Sequence, residues 1–266
     1  MKIFGTIGAV SFGGDDVRQF LILSLLAGSL WAQTPAGAPA PAPDNVRYEQ
    51  MVKRLADWPD LARYREADQE LGAPKAGEQR VVFLGASITD FWGRKYGEFF
   101  PGKPYVNRGI SGQVTSQLLV RFQQDVVHLK PAAVIIADAG SNNIAGNGGP
   151  ATLEMFEDDI ESMVAIARAN HIRVILASLL PASRFPWKPE ARPADEIRQW
   201  NLWLKGYASK QGMVYLDYYS ALVDDEGGLK PELAFDKAVH PNAAGYALMQ
   251  PLAEKAIAET LKKPAP

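Results

Sequence analysis

Five short runs rich in valine, isoleucine and leucine, separated by segments of helical periodicity, restrict this chain more than any other feature. They fall at 80–86 (RVVFLGA), 105–107 within KPYVNRG, 132–140 (AAVIIADAG), 172–178 (IRVILAS) and 213–217 (MVYLD). None alternates strictly between apolar and polar, as expected of strands covered on both faces. Between them, apolar residues recur every three or four positions. The sets are Leu118, Phe122, Val126 and Leu129; Leu153, Phe156, Ile160, Met163 and Ala167; Ile197, Trp200 and Leu204; and Tyr246, Met249, Ala253, Ile257 and Leu261. Each set forms one stripe on a helix. A further helix is predicted over 46–70. Alternation of this kind implies parallel strands, so the expected class is α/β: a three-layer α/β/α sandwich around a five-stranded parallel sheet.

In such sheets the ligand crevice lies outside the carboxyl ends of the strands. Three stretches follow strands: GASIT (85–89), NRGISGQ (107–113) and AGSNN (139–143). A fourth, FDKAVHPNAAGY (235–246), opens the last helix. Ser87 follows the first strand directly, between small neighbours. A serine hydroxyl is a weak nucleophile until a base takes its proton. His240, ahead of Pro241 at a helix start, can be that base, and Asp236 can fix the imidazole's tautomer and orientation. The N–H groups of Ser87 and Gly112 and the side-chain amide of Asn142 would form an oxyanion hole. One such donor is typically worth about 3–4 kcal/mol of barrier. Taken singly, these residues have plainer readings. Ser87 is then a turn or N-cap serine, Asn142 a turn residue, Gly109 and Gly112 loop glycines, and His240 a helix-start residue with a local hydrogen bond.

All four stretches, in this order on an α/β pattern, resemble the four sequence blocks of the SGNH hydrolases, also called GDSL-type esterases and lipases. The resemblance covers most of residues 80–255. It implies a flavodoxin-like sandwich, Ser87 as nucleophile, Gly112 and Asn142 as oxyanion donors, His240 as general base, and no metal or organic cofactor. Three departures stand out. Gly85-Ala86-Ser87 replaces the family's Gly-Asp-Ser, whose aspartate is expected to support the turn rather than act as the triad acid. Asn142-Asn143 replaces Asn-Asp. The family's acid lies three residues before the histidine, where this chain has Lys237; Asp236 is four before. A bulge would have to absorb the extra residue. A histidine left without its acid would cost about 10⁴-fold in rate.

Substrate contacts are expected from Phe91, Trp92 and the loop LPASRFPWKP (180–189), with Arg184 and Trp187 as candidates for a sugar or an acid group. The competing reading packs Trp92 and Trp187 into the rim. Asp90 and Asp138 read as structural, and Asp217 as a backup acid or a structural hydrogen bond. His128 and His171 read as helix-end residues. GNGG (146–149) lacks the Lys-Ser/Thr ending of a phosphate loop and reads as a loop near the site, shaped in part by Asn147.

Three histidines and no cysteine give no metal-ligand spacing and exclude a thiol nucleophile. A net charge of −2 without a Lys/Arg cluster leaves no field for nucleic acid. With 47% apolar residues, 266 positions suit one domain plus appendages. VRQFLILSLLAGSLWAQ has Arg18, an apolar run over 20–31 too short to span a bilayer, and then Ala32, the shape of a secretory signal. Asp15 and Asp16 sit where positive charge belongs, which puts the expected start near Val17. The expected organisation is a signal over 1–32, an extended Pro/Ala linker over 33–44 and a hydrolase domain over 45–262. Export to the periplasm or medium, without stable membrane insertion, follows. The expected activity is a serine esterase removing short acyl groups, acetyl above all, from a carbohydrate or small-molecule ester. Alternatives are a lysophospholipase or arylesterase of the same family, a catalytically impaired carbohydrate-binding relative, and an acyltransferase using the same acyl-serine.

Overall fold

The protein was analysed as a computed structural model that describes residues 45–138 and 140–266; the expected leader and linker lie outside the described residues. The strands are β1 (Val81–Gly85), β2 (Tyr105–Gly109), β3 (Ala133–Ile136), β4 (Arg173–Ala177) and β5 (Val214–Leu216). All pair in parallel, in the order β2-β1-β3-β4-β5. This is the flavodoxin-like order, whose switch point lies between β1 and β3. The helices are α1 (Asn45–Ala56), α2 (Arg65–Leu71), α3 (Ser87–Phe91), α4 (Thr115–Asp125), α5 (Gly140–Ala145), α6 (Leu153–Ala169), α7 (Ala194–Lys210), α8 (Tyr219–Leu222) and α9 (Ala243–Lys262).

Strand residues alternate between two cores. Val82, Leu84, Val134, Ile136, Val174 and Leu176 pack with Leu118, Phe122, Phe156, Met163, Trp200 and Leu204 of α4, α6 and α7. Val81, Phe83, Ile135, Ile175 and Leu216 pack on the other face with Trp92, Phe100, Tyr246, Met249 and Ile257. Burying each large apolar side chain contributes about 1.5–3 kcal/mol. The double-sided burial explains why the strands read as unbroken apolar runs, and it makes the three layers. Among the described residues no helix is long and apolar enough to cross a membrane.

Two elements differ from expectation. The single helix predicted over 46–70 is two helices. Pro59 follows α1 closely, Asp60 takes a left-handed φ of 57°, and the Asp57 carboxylate accepts the N–H groups of Leu61 and Ala62. A side chain that satisfies backbone donors in this way competes with continued helix. The third strand ends at Ile136 rather than running on to 140, because Asp138 turns the chain with a φ of 49°.

Candidate active site

Ser87 is the first residue of α3, immediately past the carboxyl end of β1. Its turn is held by a carboxylate from the neighbouring strand. Asp138, fully buried after β3, accepts the N–H of Ala86 (2.6 Å), of Ile88 (2.8 Å) and of Thr89 (3.3 Å), and the Thr89 hydroxyl (3.2 Å). Burial pushes the Asp138 carboxyl upward and these donors oppose that shift. Gly85 is glycine because a β-carbon there would collide with the Asp138 carboxylate and the Thr89 hydroxyl.

The loop after β2 is tied to this turn from two sides. Asp90 of α3 accepts the Ser111 hydroxyl at 2.5 Å and the Ser111 N–H at 3.3 Å. From below, Arg121 of α4, 0% exposed, donates to Gln113 Oε1 (2.6 Å), to the Gly85 carbonyl (2.9 Å) and to Asp125 (2.9 Å). One guanidinium therefore joins the end of β1 to the glycine loop, and Asp125 balances its charge. Gly112 in that loop has a φ of 82°, while a β-carbon there would meet nothing within 4 Å. Only the backbone conformation requires glycine. Gly112→Ala is expected to cost about 1–2 kcal/mol and, by shifting the N–H, to lower kcat for an acetate ester by roughly tenfold or more. Thermal midpoint and kcat measured together check this.

Asn142 lies in α5. Its Nδ2 donates to the Gln113 carbonyl at 2.8 Å and its Oδ1 accepts from Asn147 Nδ2 at 2.7 Å, which fixes the amide's orientation. Asn143 Oδ1 accepts the Thr115 N–H (3.0 Å) at the start of α4, and its Nδ2 donates to the Thr115 hydroxyl (2.9 Å). Among the described residues, the N–H groups of Ser87 and Gly112 meet no backbone acceptor. Both remain free to donate.

The last stretch completes the arrangement. His240 Nε2 lies 2.9 Å from Ser87 Oγ, and His240 Nδ1 lies 2.7 Å from Asp236 Oδ2. The extra residue is absorbed at Lys237, whose φ is 53°. That left-handed step folds the loop over Asp236, whose Oδ1 accepts the N–H groups of Ala238 (3.0 Å), Val239 (2.9 Å) and His240 (3.1 Å). Burial works against the charged form of Asp236. The hydrogen bonds from the His240 ring and from the Val239 and His240 N–H groups outweigh it and hold the carboxyl well below the usual range. An acceptor-only carboxylate puts the imidazole proton on Nδ1 and leaves Nε2 to accept from Ser87. The His240 side chain is 13% exposed, so the serine and imidazole can be reached from solvent.

The depressed carboxyl has a consequence for stability. Asp236 contributes fully above the unfolded carboxylate value of about 3.9, and the contribution is lost as pH falls toward the lower folded value. The difference in thermal midpoint between the wild type and Asp236→Asn is therefore expected to be constant above roughly pH 5 and to shrink in acid. A difference that widened on acidification would contradict it.

Of the expected substrate contacts, Trp92 is corrected. It is 3% exposed, packs on Phe99, Phe100 and Tyr246, and spends its indole N–H on the Glu98 carbonyl. It follows α3 on the side facing the core, so it offers no face to a ligand. Phe91 instead lies against the His240 ring, at 5.3 Å between centroids, with Phe235 at 5.5 Å and Trp187 at 6.2 Å. Arg184 is exposed and donates to the Lys237 carbonyl. Asp217 is occupied by the N–H and hydroxyl of Ser220. His128 and His171 are exposed, and His171 Nδ1 meets the Pro266 carbonyl. Sequence reasoning missed Arg121 and Gln113, because the partners that tie them to the site, Gly85 for Arg121 and Asn142 for Gln113, are 36 and 29 positions away. Among the described residues no group of three His, Asp or Glu could hold a metal ion.

A hydroxyl, an imidazole and a carboxylate in hydrogen-bonded sequence, beside N–H groups at the carboxyl edge of a parallel sheet, form the constellation that serine hydrolases use for acyl transfer. The fold narrows this further. The chain belongs to the GDSL-like lipase/acylhydrolase family, whose profile matches residues 83–248. A crystal structure assigned as an acylhydrolase from Bacteroides fragilis NCTC 9343 is 42% identical, covering 77% of this chain and 99% of its own, with a TM-score of 0.74. A GDSL-like lipase from Bacteroides thetaiotaomicron VPI-5482 is 38% identical over 76% of this chain and 98% of its own, with a TM-score of 0.72. Axe2, an acetylxylan esterase from Geobacillus stearothermophilus, shares the fold at 24% identity, with 70% of this chain and 95% of its own covered and a TM-score of 0.54. None of the curated proteins matches.

Proposed function

We propose that this protein is an exported esterase that hydrolyses short-chain esters, acetyl above others, on a carbohydrate, through an acyl-Ser87 intermediate. The unbroken hydrogen-bond series from Asp236 through His240 to Ser87 carries the reading. Ser87 Oγ gives its proton to His240 Nε2 as it attacks the ester carbonyl. The oxyanion is held by the N–H groups of Ser87 and Gly112 and by Asn142 Nδ2, and His240 returns the proton to the leaving alcohol. A water deprotonated by His240 then attacks the acyl-serine and releases the acid. The 2.7 Å bond from His240 to Asp236 favours this reading over that of an impaired binding relative.

Turnover of 4-nitrophenyl acetate, butyrate and octanoate tests this. The expected order of kcat/KM is acetate first and octanoate last, with activity lost in Ser87→Ala. A preference for octanoate would move the substrate class to lipids.

A further inference from the structure

Around the imidazole the protein builds an aromatic rim studded with cations. Phe185, Pro186, Trp187 and Lys188 form a turn closed by the Lys188 N–H on the Phe185 carbonyl at 3.0 Å, with proline at its second position. Phe185 is fully buried and stacks under Trp187 at 5.2 Å with the rings 19° apart, while Trp187 stays 45% exposed. The turn therefore presents a backed indole 6.2 Å from the His240 ring. Phe91 and Phe235 stand against the same imidazole, and the Lys95 ammonium lies 4.2 Å from the centre of the Phe91 ring and 5.8 Å from that of Phe235. The Lys188 ammonium reaches toward Gly146, on the loop that holds Asn147 and thus Asn142. Arg184 reaches the Lys237 carbonyl in the loop that holds Asp236. Among the described residues, none of Lys95, Arg184, Lys188 and Lys237 lies within ion-pair distance of a carboxylate. Asp236 is committed to His240 and to three backbone N–H groups.

An exposed aromatic face takes the apolar side of a sugar ring. Unpaired cations flanking it take an anion carried on that sugar or its neighbour. We infer that the alcohol half of the substrate is an acidic glycan: a uronic-acid-bearing oligosaccharide whose acetylated sugar stacks on Trp187 while a carboxylate nearby meets Arg184 or Lys188. The inference rests on the esterase reading above and specifies its substrate. Solvent-exposed pairs of this kind are individually weak and salt-dependent, so the expected preference is moderate and screens out.

The test measures acetate release from acetylated xylo-oligosaccharides bearing a glucuronic acid branch, against the same oligosaccharides after methyl esterification of the carboxyl. The esterification removes the charge and leaves the sugars in place. The expected result is a kcat/KM roughly two- to fivefold higher for the free acid at low salt, converging as ionic strength rises. In the double variant Arg184→Gln, Lys188→Gln the ratio is expected to approach one, mainly through KM. Equal values for the two wild-type reactions, or a preference that salt leaves unchanged, would overturn the inference while 4-nitrophenyl acetate turnover kept the esterase reading intact. Absence of turnover on 4-nitrophenyl acetate as well would remove both.

Discussion

Ser87→Ala is expected to lower kcat for 4-nitrophenyl acetate by about 10⁴-fold or more while leaving the thermal midpoint nearly unchanged. The hydroxyl is half-buried, and among the described residues its one hydrogen-bond partner is His240 Nε2 at 2.9 Å. Its removal strands no buried donor, since the imidazole remains oriented by Asp236 and accessible to water. Rate and stability therefore separate at this position. What survives should be the weak catalysis that aligned donors and a bound water can give. A variant retaining a tenth of wild-type turnover would show that ester cleavage does not pass through an acyl-serine. Retention of a burst of 4-nitrophenol would lead to the same conclusion.

Asp138→Ala should do the opposite, damaging fold and rate together. Three backbone N–H groups would lose their only acceptor in a dry interior. Each orphaned donor costs about 1–3 kcal/mol, and some relaxation is available, so a total near 4 kcal/mol is expected. For a domain of this size that is a fall of about 10 °C in thermal midpoint. Asp138→Asn keeps one acceptor oxygen but turns an amide NH₂ toward backbone N–H groups. It should be less destabilising and still lower kcat, with KM little changed, because the turn shifts Ser87 rather than the rim. Urea unfolding with kinetics on the three proteins distinguishes these outcomes. An alanine variant with wild-type stability would mean that the turn is held by its own helix.

The division between what could and could not be read from the sequence follows from the range of the interactions. Strands buried on both faces announce themselves as apolar runs, and helices facing a single core as stripes, so the layers were legible. So were the stretches that carry Ser87, Gly112, Asn142 and His240, because each sits at the end of an element. Asp138 could be read as structural but not assigned partners: AAVIIADAG reads as one long strand, and only the left-handed turn at 138 shows that the carboxylate leaves the sheet. Arg121 lies between Leu118 and Phe122 on a helix whose polar residues look solvated, yet it is buried with Asp125. Trp92 was misplaced because following a strand says nothing about which face a side chain takes. Asp236 could be named but not positioned, since a single positive φ at Lys237 decided whether it met the imidazole.

The Asp138 carboxylate, reaching into the serine turn from just beyond β3, sets what the reactive distances are measured from. Ser87 is pinned to Asp138, and Asn142 follows Asp138 by only four residues along the same chain segment. Nucleophile and oxyanion donor thus share one origin. A shift at the end of β3 therefore carries both groups together. His240, arriving from the far end of the chain, is the member whose alignment should drift first with temperature.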